Sequence, residues 1–213
     1  MARTTGGNGE FGHGRASVYC ESTINLATVN ANRLQIFNVD QIGFDHKTKL
    51  NFACAGWAGQ MSLSTNTATG FGNTLCGEWS QADTDCTPNL NNVGIGSRWE
   101  GTLNLADASS RVLTPSCPLK NSSCSCANAL ADPSTYSDEY KQWLLYNALG
   151  QMNSFEIGWG WFYWTWQTES VAATQWSYKK GIAAGILPKK TWDRSAFNCS
   201  QTIPEFDGLA ESF

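Results

Sequence analysis

Between Tyr136 and Phe155 the apolar side chains Tyr140, Trp143, Leu144, Ala148, Met152 and Phe155 fall on one helical face. That spacing predicts a helix over 136–155. Shorter apolar runs predict strands at Leu34–Phe37, Asn51–Trp57 and Leu75–Trp79, and a continuous aromatic run predicts another over Gly158–Trp166. A helix could begin between Asp40 and His46, one after Trp79 capped by Ser80 or Asp83, and a short one around Trp176–Ala184. The Ser/Thr/Asn/Gly run over 62–74 reads as a loop, and Asn104–Asp132 as a long Cys- and Ser-rich excursion. Residues 1–29 read as irregular.

Strand, helix, strand, helix, strand is the order of an α/β protein with parallel strands. The unalternated apolar strands agree, because parallel strands are covered on both faces. In such folds chemistry sits at the carboxyl ends of strands. Glu78 and the segment from Trp164 to Glu169 occupy two such ends.

Composition narrows the partners. A net charge of −4 argues against nucleic acid as a polyanionic partner. No segment approaches the roughly 18 apolar residues of a membrane span. Ten tryptophans alongside only 15% charged residues suit a binder of neutral polar ligands, whose apolar C–H faces stack on indole rings. Eight cysteines without a C-x-x-C pair, and only His13 and His46 to complete a zinc site, point to disulfides formed in an oxidising compartment. Asn121-Ser-Ser and Asn198-Cys-Ser are glycosylation sequons that fit the same route. The amino-terminal stretch has no apolar core of a signal peptide, so the expectation is that an original beginning is missing.

From about residue 30 the chain resembles the carboxy-terminal half of fungal exo-β-1,3-glucanases of glycoside hydrolase family 5. The resemblance is carried by GEWSQADTDC from Gly77, LNNVGIGSRWEGT from Leu90, SDEYKQWLLYNALGQMNSFE from Ser137, GWGWFYWTWQTE from Gly158 and QWSYKKGIAAGILP from Gln175. It implies a (β/α)8 TIM barrel, incomplete here and covering roughly strands six to eight over residues 30–213, while 1–29 match nothing in the family. It also implies a retaining mechanism with two carboxyl groups about 5–5.5 Å apart.

By the same resemblance Glu78 is the nucleophile, and Trp164 floors the subsite for the terminal glucose. Phe37 lies at the pocket mouth, Asn91 on its rim, and Arg98 and Glu100 among the supporting polar residues, where they read as an ion pair. The neighbours Trp159, Trp161 and Trp166 read as packing residues, since one strand cannot aim every ring at one ligand. Cys54 would pair with Cys199 and Cys86 with Cys117, leaving Cys20, Cys76, Cys124 and Cys126 open. The implied partner is β-1,3-glucan, with no cofactor or metal, and the implied location is secreted or cell wall.

Two departures accompany the resemblance. Asn32 and Leu34 stand where the family has a histidine and a tyrosine, and the Asn-Glu-Pro motif of the acid/base glutamate does not occur in this chain. An alternative expectation is therefore a non-catalytic carbohydrate-binding remnant or a truncated gene product.

Overall fold

The computed structural model describes residues 45–87, 93–169 and 173–210, and the strand backbones of 16–19, 26–30 and 33–37; Glu78 is described by its backbone alone. Strands β1 (Ala16–Tyr19), β4 (Thr74–Trp79) and β5 (Trp161–Tyr163) form one parallel sheet in the order β1-β4-β5. Strands β2 (Leu26–Asn30) and β3 (Arg33–Phe37) form a separate antiparallel pair. β3 agrees with the expected strand, whereas β1 and most of β2 fall in a stretch read as irregular.

Helix α1 (His46–Asn51) starts where Asp45 caps it, its carboxylate accepting the Thr48 N–H at 2.6 Å. The chain then continues through a wide π-type turn, Phe52–Gly56, into α2 (Trp57–Thr65). This replaces the strand expected over Asn51–Trp57. Leu50, Ala53, Cys54, Trp57 and Met61 are all buried, and their spacing of three and four residues is helical, not alternating. The wide turn has its own partner: Ser154 Oγ lies 2.6 Å from the Ala53 carbonyl and 3.2 Å from that of Cys54.

Helix α3 (Asp138–Phe155) forms as its periodicity predicts. Ser137 accepts the Tyr140 N–H at its start, and Asp138 and Glu139 complement the dipole in the first turn. Its buried face, with Trp143, Leu144, Ala148, Met152 and Phe155, packs with Leu50, Trp57 and Met61 of the preceding helices and with Trp79 of β4. Trp79 is the junction of helix and sheet: its ring meets Phe155, Trp161 and Tyr163 edge-on at 5.7, 5.3 and 4.8 Å. Helix α4 (Tyr178–Ala184) is capped by Ser177 and closed by Gly185, whose φ of +77° suits glycine.

Gly158, between α3 and β5, fits where no side chain would. A Cβ there would sit 2.4 Å from the Thr74 carbonyl oxygen and 2.5 Å from the Met61 methyl. Gly158→Ala is expected to destabilise the fold by about 1–3 kcal/mol, read from the urea midpoint; an unchanged midpoint contradicts this packing.

No helix forms after β4. Residues 80–85 are instead a buried irregular strip. The expected cap Asp83 is committed elsewhere, accepting the Tyr140 hydroxyl at 3.1 Å. Gln81 donates through Nε2 to the carbonyls of Leu144 and Ile186, both at 2.7 Å. The aromatic strand is likewise shorter than expected. Regular pairing is confined to 161–163, although the Trp159 N–H also reaches the Thr74 carbonyl at 2.7 Å.

Three disulfides are present among the described residues. Cys54–Cys199 ties the wide turn to the carboxy-terminal segment, as expected. The expected Cys86–Cys117 bridge is replaced by Cys86–Cys126 and Cys117–Cys124. The added cysteines give Cys117 a partner only seven residues away, so its loop closes at little entropic cost. Glu100 fixes Cys126 by accepting its backbone N–H at 2.6 Å. These two bridges surround Trp99 in a small second core. Among the described residues no helix is long and apolar enough to cross a membrane, and no group of His, Cys, Asp and Glu could hold a metal ion.

Candidate active site at the carboxyl edge of the parallel sheet

Parallel pairing brings the carboxyl ends of β4 and β5 to the same edge of the sheet. Glu78 is the penultimate residue of β4, opposite Tyr19 of β1 and next to Trp79, which pairs with Tyr163. Trp164 follows β5 directly, and its N–H donates to the Trp79 carbonyl at 2.8 Å. The backbone of Trp164 is thus hydrogen-bonded to the residue after Glu78. Beyond it, the Thr165 carbonyl accepts the Tyr178 N–H at 2.8 Å, anchoring the segment to the start of α4.

Side-chain alternation divides the aromatic run. Trp161 and Tyr163 face the core and clasp Trp79, while Phe162 and Trp164 are 64% and 54% exposed. The Trp161 ring is therefore a packing ring, as expected, and its Nε1 donates to Glu156 at 3.3 Å. Trp166 and Trp159 are exposed; Trp166 stacks on Tyr178 with ring centroids 6.1 Å apart. The Glu78 side chain, the Phe37 side chain and Asn91 lie outside the described residues, although the Phe37 backbone ends β3.

Arg98 and Glu100 belong to the disulfide-bearing lobe. In place of the expected Arg98–Glu100 ion pair, Arg98 Nη1 lies 3.5 Å from Asp85, and Glu100 holds the Cys126 amide. Asp85 is buried and accepts the N–H groups of Arg98 and Trp99 at 2.7 and 2.9 Å. Its carboxylate therefore fixes the lobe to the strip leaving the candidate nucleophile strand. Arg98 and Glu100 are thus tied to Asp85 and to the Cys126 backbone rather than to each other.

The sequence reading missed a buried polar cluster that shapes the same strip. Gln175 Nε2 donates to the Tyr140 hydroxyl at 2.7 Å, which in turn donates to Asp83 Oδ2. His46 Nε2 lies 3.9 Å from that oxygen, and Lys49 Nζ donates to the Asp83 carbonyl at 3.0 Å. A cavity of about 520 Å³ opens beside this cluster, with Tyr136, Trp99 and Asn128 in its wall. No local pattern announces it, since its members come from four separated segments. The Tyr136 hydroxyl is pushed up to about 12, first by burial and then by the Asp83 charge. Burial, with Asp83 beside it, holds Tyr140 well above the ordinary tyrosine value.

That shift has a pH consequence. Above about pH 10 an unfolded tyrosine ionises while buried Tyr140 keeps its proton, so the folded state binds more protons and loses stability as pH rises. Tyr140 is expected to contribute up to about 1.4 kcal/mol of lost stability per pH unit above pH 10. Urea titrations between pH 9 and 11.5 check this: Tyr140→Phe should flatten the decline by that amount, and identical slopes contradict it.

No family model matches the chain. It is 48% identical over 187 residues to the probable glucan 1,3-β-glucosidase D of Aspergillus clavatus, a match covering 87% of this chain and 21% of that protein. The corresponding protein of Neosartorya fischeri is 47% identical over 187 residues, 87% of this chain and 22% of its own length. Glucan 1,3-β-glucosidase D of Emericella nidulans is 46% identical over 186 residues, again 87% of this chain and 21% of that protein. The chain thus spans about one fifth of the length of the curated relatives it matches, and its homologues carry the name of a glucan 1,3-β-glucosidase.

Proposed function

We propose that this chain is the nucleophile-bearing, distal part of a (β/α)8 glycoside hydrolase of family 5, which releases glucose from the non-reducing ends of β-1,3-glucan by a retaining mechanism. The observation that carries the reading is the extended similarity to glucan 1,3-β-glucosidases across 87% of the chain. The shared carboxyl edge of β4 and β5, which brings the Glu78 and Trp164 backbones together, supports it.

In this mechanism the Glu78 carboxylate bonds to the anomeric carbon as that carbon's bond to the glycosidic oxygen breaks. The departing oxygen takes a proton from a second carboxyl group. Water then cleaves the glycosyl ester, giving its proton to the same second group. Trp164 provides a flat apolar face for the terminal glucose, with Phe37 and Asn91 at the entrance. No Asn-Glu-Pro occurs in this chain, so the proton donor belongs to another part of the barrel. A secreted or cell-wall location fits the three disulfides and the fungal relatives.

A second reading is a non-catalytic carbohydrate-binding piece. It is favoured by Asn32 and Leu34, which replace side chains that would orient the nucleophile, and by the missing motif. Laminarin separates the two. Glucose release by the purified chain, abolished in Glu78→Gln, supports hydrolysis. Laminarin binding without glucose release supports the second reading, and neither binding nor release rejects both for the isolated chain.

A further inference from the structure

The two sequons form the same local turn but differ in exposure and in what flanks them. Asn121 lies in the six-residue tip enclosed by the Cys117–Cys124 disulfide, and Asn121, Ser122 and Ser123 are all exposed. Asn121 Oδ1 accepts the Ser123 N–H at 2.8 Å and the Ser123 hydroxyl at 2.6 Å. The acceptor amide and the hydroxyl that defines the sequon are therefore already side by side on an outward turn. Leu119, in the same tip, is half exposed.

Asn198 makes the same turn, its Oδ1 accepting the Ser200 N–H at 3.0 Å and the Ser200 hydroxyl, so the difference lies in what flanks it. Its preceding neighbour Phe197 is buried and stacks on Tyr146 of α3 with centroids 4.7 Å apart. Its following neighbour Cys199 is bonded to Cys54. Asn198 itself is only partly exposed, and its backbone N–H donates to Gln201 Oε1 at 3.1 Å. Both flanks of this sequon are thus fastened to the core.

We infer that Asn121 is an N-glycosylation site and that the Cys54–Cys199 disulfide withholds Asn198 from the same modification. In the reaction the Asn121 side-chain nitrogen bonds to the anomeric carbon of a lipid-pyrophosphate-linked oligosaccharide. The bond from that carbon to the pyrophosphate oxygen breaks, and the lipid pyrophosphate departs with its electron pair as the amide loses a proton. The attached glycan would cover the exposed leucine tip on the lobe held by Cys86–Cys126 and Cys117–Cys124, away from the helices that pack on the sheet. The inference rests on the secretory route and is independent of the hydrolytic chemistry.

The test is glycopeptide mapping of the whole chain secreted from a fungal host, restricted to the fraction in which Cys117–Cys124 is intact. Most molecules should carry glycan at Asn121 and few at Asn198. Ser123→Ala should abolish the Asn121 glycan and Ser123→Thr should preserve it. Cys54→Ser should raise occupancy at Asn198 several-fold. Unmodified Asn121 in that disulfide-bonded fraction overturns the assignment, whatever the enzyme assays give. Equal occupancy at both sequons, or no response of Asn198 to Cys54→Ser, overturns the role given to the disulfide.

Discussion

Glu78→Gln is expected to lower hydrolysis of 2,4-dinitrophenyl β-glucoside at least about a thousandfold, with an unchanged urea midpoint. This aryl glucoside suits the chain because its leaving group departs without a proton. The readout on Glu78 therefore does not depend on a proton donor. Gln keeps the size and hydrogen-bonding capacity of the side chain but cannot form the glycosyl ester. The unsubstituted chain should accordingly turn over the aryl glucoside far faster than laminarin, whose departing oxygen needs protonation. Equal rates for Glu78→Gln and the parent chain would remove Glu78 from the mechanism.

The second large effect concerns stability. Asp85→Ala should destabilise the fold by about 3–5 kcal/mol, because it removes the acceptor of the Arg98 and Trp99 N–H groups and the partner of the Arg98 guanidinium. Asp85 is 1% exposed, so water cannot readily take its place. Asp85→Asn retains one oxygen for one of the two amides and should lose roughly half as much. Equilibrium urea unfolding measures both. A loss below about 1 kcal/mol for Asp85→Ala would mean that the lobe is fixed by its disulfides alone.

How far these features could be read from the residues depended on how local their causes are. Helix α3 was legible because six apolar residues keep one face, although its start lies after the Ser137 cap and not at Tyr136. Strand β4 was legible as a short apolar run bounded by turn residues. The segment 51–57 was misread because Phe52, Ala53, Cys54, Ala55 and Trp57 form an almost unbroken apolar string, which suits a buried strand and a buried helix equally. The wide turn within it bonds to Ser154, about a hundred residues away, a contact no local window contains.

The strip after β4 failed for a related reason. Ser80 and Asp83 have the chemistry of helix caps, but Gln81 and Asp83 bond to α3, and Gln81 also reaches Ile186. Such non-local commitments leave no trace in a ten-residue window. At the site, Glu78 and Trp164 came from strand ends and the family resemblance, and the sheet brings their backbones to one edge. The Asp83–Tyr140–Gln175 cluster had no comparable signal. The cysteine pairing was misassigned because the resemblance offered no place for Cys124 and Cys126, which give Cys86 and Cys117 their partners.

A covalent trap addresses the role of Glu78 most directly. The chain is incubated with 2-deoxy-2-fluoro-β-glucosyl fluoride, whose fluoride leaves without acid and whose 2-fluoro group slows breakdown of the glycosyl ester. Peptide mass mapping should find one added fluoroglucosyl group, on the carboxylate of Glu78, and none in Glu78→Gln. An adduct on a different carboxylate, or a Glu78 peptide that stays unmodified, contradicts the account.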